Sequence, residues 1–163
     1  MIHYAVLRHG FDISRNPARL GGSHEEPFWL KLGYGGEPPR WLTGNVLWLV
    51  SWEGTVKMRH MLYGWYLVEH VGKCQAVISQ NTASGYEGSL FPNLLGPLDQ
   101  QPWFSPFVEA NKRFRDGEPT DITPILDHLR TFVRNAGCQV PAVPASAYRE
   151  VAASAYREVA AAV

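Results

Sequence analysis

The stretch at residues 46–80, VLWLVSWEGTVKMRHMLYGWYLVEHVGKCQAVISQ, decides the fold of this chain. Residues 46–51 are apolar at almost every position, which predicts a strand buried on both of its faces. Gly54 follows within Glu53-Gly54-Thr55, and glycine supplies the positive φ that a tight reversal needs, so we expect a turn there. Residues 57–71 are rich in aromatic and β-branched side chains, and Gly64 among them is a predicted bulge.

Strands this close in sequence pair antiparallel as a meander, and residues 76–78 (AVI) would add one more short strand. Outside the stretch, residues 3–8 (HYAVLR) predict a strand at the edge of the same sheet or closing it. Residues 99–115 predict a helix or a pair of short turns, and residues 121–135 predict the clearest helix, which Gly137 would end. The whole pattern favours an α+β protein with flanking helices.

The composition limits the functions that the chain can have. With 163 residues it can build one domain with a sizeable core, and 45% hydrophobic residues with a mean hydropathy of −0.19 predict a soluble globular protein. Net charge is zero, which argues against coating nucleic acid by charge alone. However, 11 of the 15 basic residues are arginine, which suits a compact site for phosphates or base edges.

The expected environment is the cytoplasm. No run of about 20 apolar residues is present, and the first residues, MIHY, lack the basic start of a signal peptide, so we expect no membrane partner. Cys74 and Cys138 have no metal-ligand spacing around them and are predicted to be free thiols. No motif for a metal, a nucleotide or another cofactor is present, so we expect none of these groups.

Aromatic density is the positive signal for function. Between residues 48 and 66 lie five large rings: Trp48, Trp52, Tyr63, Trp65 and Tyr66. For any single ring, a place in the core and a place in a pocket wall are about equally plausible. Residues 81–93 (NTASGYEGSLFPN) are polar and without periodicity, which predicts a functional loop beside these rings. Rings and loop together predict a pocket that stacks a planar base removed from its duplex.

The same segments resemble a known superfamily. VLWLVSW, KMRHMLYGWYLVEHV, the polar loop and QPWFSPFVEANKRF together resemble PUA-like domains. Within them the chain is most similar to EVE-like readers of modified bases, which are attached to HNH-type modification-dependent restriction endonucleases. LYGWYLV at residues 62–68 resembles the strand that ends the central hairpin of such domains. The resemblance covers residues 46–133 and is a pattern of strands and aromatic residues.

The resemblance implies a small mixed or antiparallel β pseudo-barrel with flanking helices. It also implies a reader that flips a modified base, such as 5-methylcytosine or a hydroxymethylated base, into an aromatic pocket, most readily in duplex DNA. Cleavage would belong to a fused nuclease domain of a restriction system, so this chain itself would not be an enzyme. The predicted nucleic-acid-binding residues fall into three groups. The pocket walls are Trp48, Trp52, Tyr63, Trp65 and Tyr86, the readers of the base edge are Ser84 and Asn93, and the phosphate contacts are Arg8, Arg40 and Arg59.

Two alternatives to a reader remain open at this point. An ASCH-type enzyme of the same superfamily, acting on a modified nucleoside, would need a Lys–Glu pair in the pocket. The chain offers only Lys57 or Lys73, with Glu53, Glu69 or Glu87, for such a pair. The third hypothesis is an interaction domain whose Trp-rich face binds a peptide.

The predicted domain organisation is a reader domain at residues 1–138 and a Pro/Ala-rich linker with a repetitive helical tail at residues 139–163. The octapeptide SAYREVAA occurs twice in that tail, at residues 146–153 and 154–161. Two copies of so short a unit are not a solenoid signature, so the tail carries no part of the functional argument. The fused nuclease domain is expected to follow the Pro-rich break after Cys138.

Overall fold

The structure, a computed structural model, describes residues 1–9, 27–34, 36–73 and 80–142. The strands are β1 (His3–His9), β2 (Phe28–Tyr34), β3 (Val46–Glu53), β4 (Arg59–Leu67), β5 (His70–Lys73), β6 (Gln80–Gly85), β7 (Gly88–Leu95) and β8 (Thr120–Asp121). The α-helices are α1 (Phe104–Ala110), α2 (Lys112–Arg115) and α3 (Leu126–Asn135), and 3-10 turns lie at Arg40–Leu42, Leu98–Gln100 and Thr123–Ile125.

Five strands form a mixed sheet in the order β7-β4-β3-β1-β8. The first strand, β1, runs parallel to β3, whereas β3–β4, β4–β7 and β1–β8 are antiparallel pairs. The remaining three strands form an antiparallel sheet in the order β2-β6-β5. Within the described residues the strands make these two sheets and no closed barrel. The α+β class predicted from the sequence is confirmed.

The five-stranded sheet lies between two hydrophobic clusters, so the molecule is built in three layers. Side chains from one face, among them Trp48 and Val50, pack against the helices through Phe104 and Phe114. Side chains from the other face, among them Leu47, pack against the three-stranded sheet. Residues 46–51 are all buried because both faces of β3 are covered, which confirms the prediction for this strand.

The β3–β4 hairpin has the predicted bulge, but its turn lies later than predicted, because Glu53 still pairs with Arg59 and the turn spans residues 54–58. Gly54 has a φ of +130° just after β3. Further along, Leu49 pairs with Gly64 but Val50 pairs with Leu62, so β4 carries one extra residue at the predicted position. A Cβ at Gly64 would collide with the backbone carbonyl of Ser89 in β7 and would lie 3.0 Å from the Cα of Leu90. The close approach of β7 therefore requires a glycine here.

Two sequence predictions about this region are wrong. Residues 63–71 are not one strand of a meander, because β4 ends at Leu67 and the chain crosses to the second sheet as β5. Residues 81–93 are not a loop, because they belong to β6 and β7 with a turn at Tyr86 and Glu87. Pairing of β6 with β2 and β5 on its two sides satisfies the backbone of a sequence that has few strand-forming side chains.

The helical segments match the predicted positions more closely than the predicted lengths. Residues 99–115 form a 3-10 turn followed by α1 and α2. In the last segment, β8 and a 3-10 turn precede α3, and Leu129 and Val133 of α3 are buried. Gly137, with a φ of +74°, ends α3 as predicted, and the Cys138 N–H donates to the Val133 carbonyl in a Schellman arrangement.

The packed region extends past residue 138. Pro141 is buried, and the carbonyl of Gln139 accepts a hydrogen bond from Trp65. Cys138 is a free, half-buried thiol. Cys74, the strand predicted at residues 76–78 and the repeats at residues 146–161 lie outside the described residues. None of the helices in the described part of the chain is long and apolar enough to span a membrane.

Candidate functional site

Three aromatic side chains stack at one end of the five-stranded sheet. His9 of β1 and His60 of β4 each lie directly opposite Trp52 of β3 in the strand register. The ring centroids are 5.6 Å apart for His9 and Trp52, and 6.0 Å apart for Trp52 and His60, with interplanar angles of 22° and 8°. We call these three residues the ring stack. Trp52 stays 38% exposed, so part of its ring reaches solvent at the end of the sheet.

His60 is held in place by Asp99. The Asp99 carboxylate lies 2.7 Å from His60 Nδ1 through Oδ1 and accepts the His60 backbone N–H at 2.7 Å through Oδ2. Burial of the Asp99 carboxyl favours its neutral form, but the hydrogen bonds from His60 outweigh it and lower the pKa of Asp99. An ionised Asp99 favours the tautomer with the proton on Nδ1, so the His60 ring is oriented before any ligand binds.

A cavity of about 240 Å³ opens beside the ring stack, at the carboxyl ends of the parallel strands β1 and β3. Its walls are Leu7, Arg8, His9, Trp52, Arg115, Asp116 and Gly117. The volume is slightly below that of drug-sized ligand pockets and suits a single planar ring. Among the described residues, this lining holds the two guanidinium groups of Arg8 and Arg115 and the carboxylate of Asp116.

Backbone carbonyls orient both arginines of this cavity. Arg8 donates to the carbonyls of Leu7, Gly117 and Lys31 at 2.8, 2.5 and 2.9 Å, and so ties β1 to β2 and to the residues after α2. Arg115 donates to the carbonyls of Val108 and Glu109 at 2.9 and 2.6 Å. Among the described residues no carboxylate forms an ion pair with Arg115, so its charge is available to an anionic ligand.

The predicted wall residues do not line one common cavity. Trp48 is fully buried against the helices, and its indole N–H donates to His3 Nδ1 at 3.0 Å. Tyr63 is partly buried on the opposite face of the sheet, against the cluster that faces the three-stranded sheet. Trp65 and Tyr86 share a different cavity, of about 310 Å³, and only Trp52 of the five borders the ring-stack cavity.

The cavity of Trp65 and Tyr86 differs from the ring-stack cavity in charge and exposure. Trp65 is only 6% exposed, and its indole N–H already donates to the Gln139 carbonyl at 2.9 Å. Glu87 contributes a carboxylate, and the lining that the described residues provide includes no Lys or Arg side chain. It is therefore less suited to a phosphate-bearing ligand than the ring-stack cavity.

The predicted polar contacts are also dispersed. Ser84 lies in β6 between Trp29 and His70, within the second sheet, and Asn93 is exposed on β7. Arg40 is exposed in a 3-10 turn remote in sequence from the ring stack. Arg59 is exposed opposite Glu53, one register position beyond the Trp52–His60 pair. Of the predicted phosphate contacts, Arg8 and Arg59 therefore lie at the end of the sheet that carries the ring stack.

Three members of the site were missed from the sequence: His9, His60 and Arg115. His9 meets Trp52 only because β1 pairs in parallel with β3, and such a nonlocal register cannot be derived from one sequence. His60 was missed because the turn predicted at residues 53–55 would have placed Val56 opposite Trp52, whereas the observed register places His60 there.

The Lys–Glu pairs that an ASCH-type enzyme would need are not ion-paired in the described part of the chain. Among the described residues no ion pair joins Lys57 or Lys73 to any glutamate, and Lys73 Nζ donates instead to the Gly36 carbonyl. The described part of the chain also holds no group of three His, Cys, Asp or Glu side chains that could bind a metal ion. A further groove of about 460 Å³ lies between Trp103 and α3, and none of the predicted site residues lines it.

Comparison with known proteins found no match for this chain among protein-family models, curated proteins or solved structures.

Proposed function

We propose that this protein is a nucleic-acid-binding module that holds a modified base, flipped out of duplex DNA, in the cavity against the ring stack. The observation that carries the proposal is the half-exposed Trp52 ring, stacked between His9 and His60 at the mouth of a cavity lined by Arg8 and Arg115. Because His9 and His60 stack on the two faces of Trp52, the base would extend the stack on the cavity side of His9 and touch the exposed edge of Trp52, with the phosphates of its nucleotide beside the arginines.

Stacking of one base on an aromatic ring contributes about 1–3 kcal/mol. Trp52, itself stacked on His60, supports the His9 ring on which the base would stack. Phosphate contacts add affinity but no information about the base. Since the chain has no net charge, a few arginines near the cavity cannot sustain tight binding to any duplex. The stacked base should therefore dominate recognition.

The relationship to PUA-like domains, and to EVE-like readers among them, is part of this proposal. Its support is the α+β class and the mixed sheet, although the strands of the described residues form two sheets and not the pseudo-barrel that the resemblance implies. In the same proposal, cleavage of the recognised DNA belongs to a nuclease domain fused to this one or bound to it.

A titration of two short duplexes tests the proposal. One duplex carries a single 5-methylcytosine and the other is unmodified but otherwise identical. We expect tighter binding of the modified duplex at near-physiological salt, and a loss of that preference in Trp52→Ala. Trp41→Ala is the matched control, because Trp41 is also exposed but packs on Tyr4, far from the ring stack in the sheet register.

Equal affinity of the wild-type protein for both duplexes would refute recognition of this modification. A hydroxymethylcytosine duplex and a methyladenine duplex, tested in the same way, extend the test to the other bases that the proposal covers. A preference that survives in Trp52→Ala but disappears in Trp65→Phe or Tyr86→Ala would move the site to the other cavity.

A further inference from the structure

The turn of the β3–β4 hairpin exposes apolar side chains to solvent. We call residues 54–58, between Glu53 at the end of β3 and Arg59 at the start of β4, the hairpin tip. Val56 at its apex is 100% exposed and Met58 is 37% exposed. Gly54 has a φ of +130°, and a Cβ on it would collide with the backbone carbonyl of Lys57, so the tip folds tightly back on itself.

Exposure of one apolar residue is common and needs no explanation. The position of Val56 next to the ring stack is what indicates a functional contact. The same hairpin carries Trp52 and His60 of the ring stack on its two strands. Lys57 and Arg59, both exposed, flank the apex with two positive charges. A nucleic-acid duplex offers apolar base faces in its interior and phosphates outside. The exposed Val56 suits the base faces, and its basic neighbours suit the phosphates.

We propose that the hairpin tip enters the base stack of a duplex next to the nucleotide held by the ring stack. Val56 and Met58 would contact the faces of the bases left unstacked, and Lys57 and Arg59 would contact the adjacent phosphates. This inference rests on the proposed function and makes double-stranded nucleic acid the specific partner. Apolar side chains inserted between base steps offset part of the free-energy cost of unstacking them.

The dimensions of the hairpin are compatible with this contact. A strand rises about 3.3 Å per residue, so Val56 projects at most about 10 Å beyond the last ladder pair, Glu53–Arg59. Successive bases of one DNA strand are about 3.4 Å apart. The tip can therefore reach into the stack of bases while the ring stack holds the displaced base beside it.

The test compares Val56→Ser with Val56→Leu. Because Val56 makes no buried contact, neither substitution should alter folding, which thermal unfolding verifies. The probes are a short duplex with one central 5-methylcytosine and the corresponding modified single strand. We expect Val56→Ser to weaken duplex binding by about tenfold and to leave single-strand binding unchanged, and Val56→Leu to retain both. A 2-aminopurine placed beside the modified base should brighten on binding of wild type and less so with Val56→Ser.

Each other outcome decides against the inference. If Val56→Ser binds the duplex as wild type does while Trp52→Ala does not, the hairpin tip has no such role and the proposed function still stands. If wild type binds neither probe, the proposed function fails and the inference fails with it. Val56-dependent binding to anionic phospholipid vesicles, or Val56-dependent self-association in sedimentation, without an effect on the duplex would assign the tip to another partner.

Discussion

Replacement of Trp65 by alanine should destabilise the protein strongly, because this ring belongs to the core. Trp65 is 6% exposed and packs against Trp48 with ring centroids 6.4 Å apart. Truncation of a buried Trp to Ala costs about 3–5 kcal/mol. Loss of the hydrogen bond to the Gln139 carbonyl adds at most about 1 kcal/mol, since Gln139 is exposed and water can replace the indole. For a chain of this size, a total of about 4 kcal/mol lowers Tm by about 8–16 °C.

Urea unfolding followed by far-UV circular dichroism measures this effect without relying on tryptophan fluorescence. Trp52→Ala is the matched control, and it should lose only about 1–2 kcal/mol because its ring is 38% exposed at the end of the sheet. An unfolding free energy for Trp65→Ala within about 1 kcal/mol of wild type would refute the assignment of Trp65 to the core. Trp65 would then be free to serve as a pocket wall, as the sequence allowed.

Three further predictions concern stability and preorganisation of the site. Burial, reinforced by a nearby arginine, lowers the pKa of His3 from 6.5 to about 4. Between these pH values the unfolded chain therefore binds more protons than the folded one. The free energy of unfolding should fall by up to about 3 kcal/mol as the pH drops from 6.5 to 4. His3→Gln should flatten that pH dependence in urea titrations. Gly64→Ala should cost about 1–3 kcal/mol through collision with β7, and more than Gly72→Ala, which has no positive φ and meets only the ring of the exposed His70. Asp99→Asn should weaken base binding several-fold with little loss of stability, because His60 loses the carboxylate that orients its ring. An unchanged affinity for the modified duplex would contradict this role of Asp99.

The elements predicted correctly are those whose local pattern and tertiary context agree. Apolar residues at every position of β3 match a strand covered on both faces, and Gly54 marks the turn that follows it. The helix around Leu129 is similarly readable from its apolar face and from Gly137 at its end. In each case a few adjacent residues contain the whole signal.

The elements missed are those created by distant pairing. The segment with Asn81 and Ser84 forms β6 only because β2 and β5 supply partners on both sides. Parallel pairing of β1 with β3 brings His9 to Trp52 across more than forty residues of sequence. Aromatic density located the correct hairpin, but it could not separate Trp52, at the rim, from Trp48, in the core.

The most direct test of the proposed site is NMR observation of the six tryptophan indole N–H groups during titration with the modified duplex. The Trp52 resonance is assigned by its disappearance in Trp52→Phe. The proposed stacking predicts that this resonance shifts most, while the buried Trp48 indole, bonded to His3, stays nearly unchanged. Formation of the complex with the Trp52 resonance unmoved would contradict the proposal.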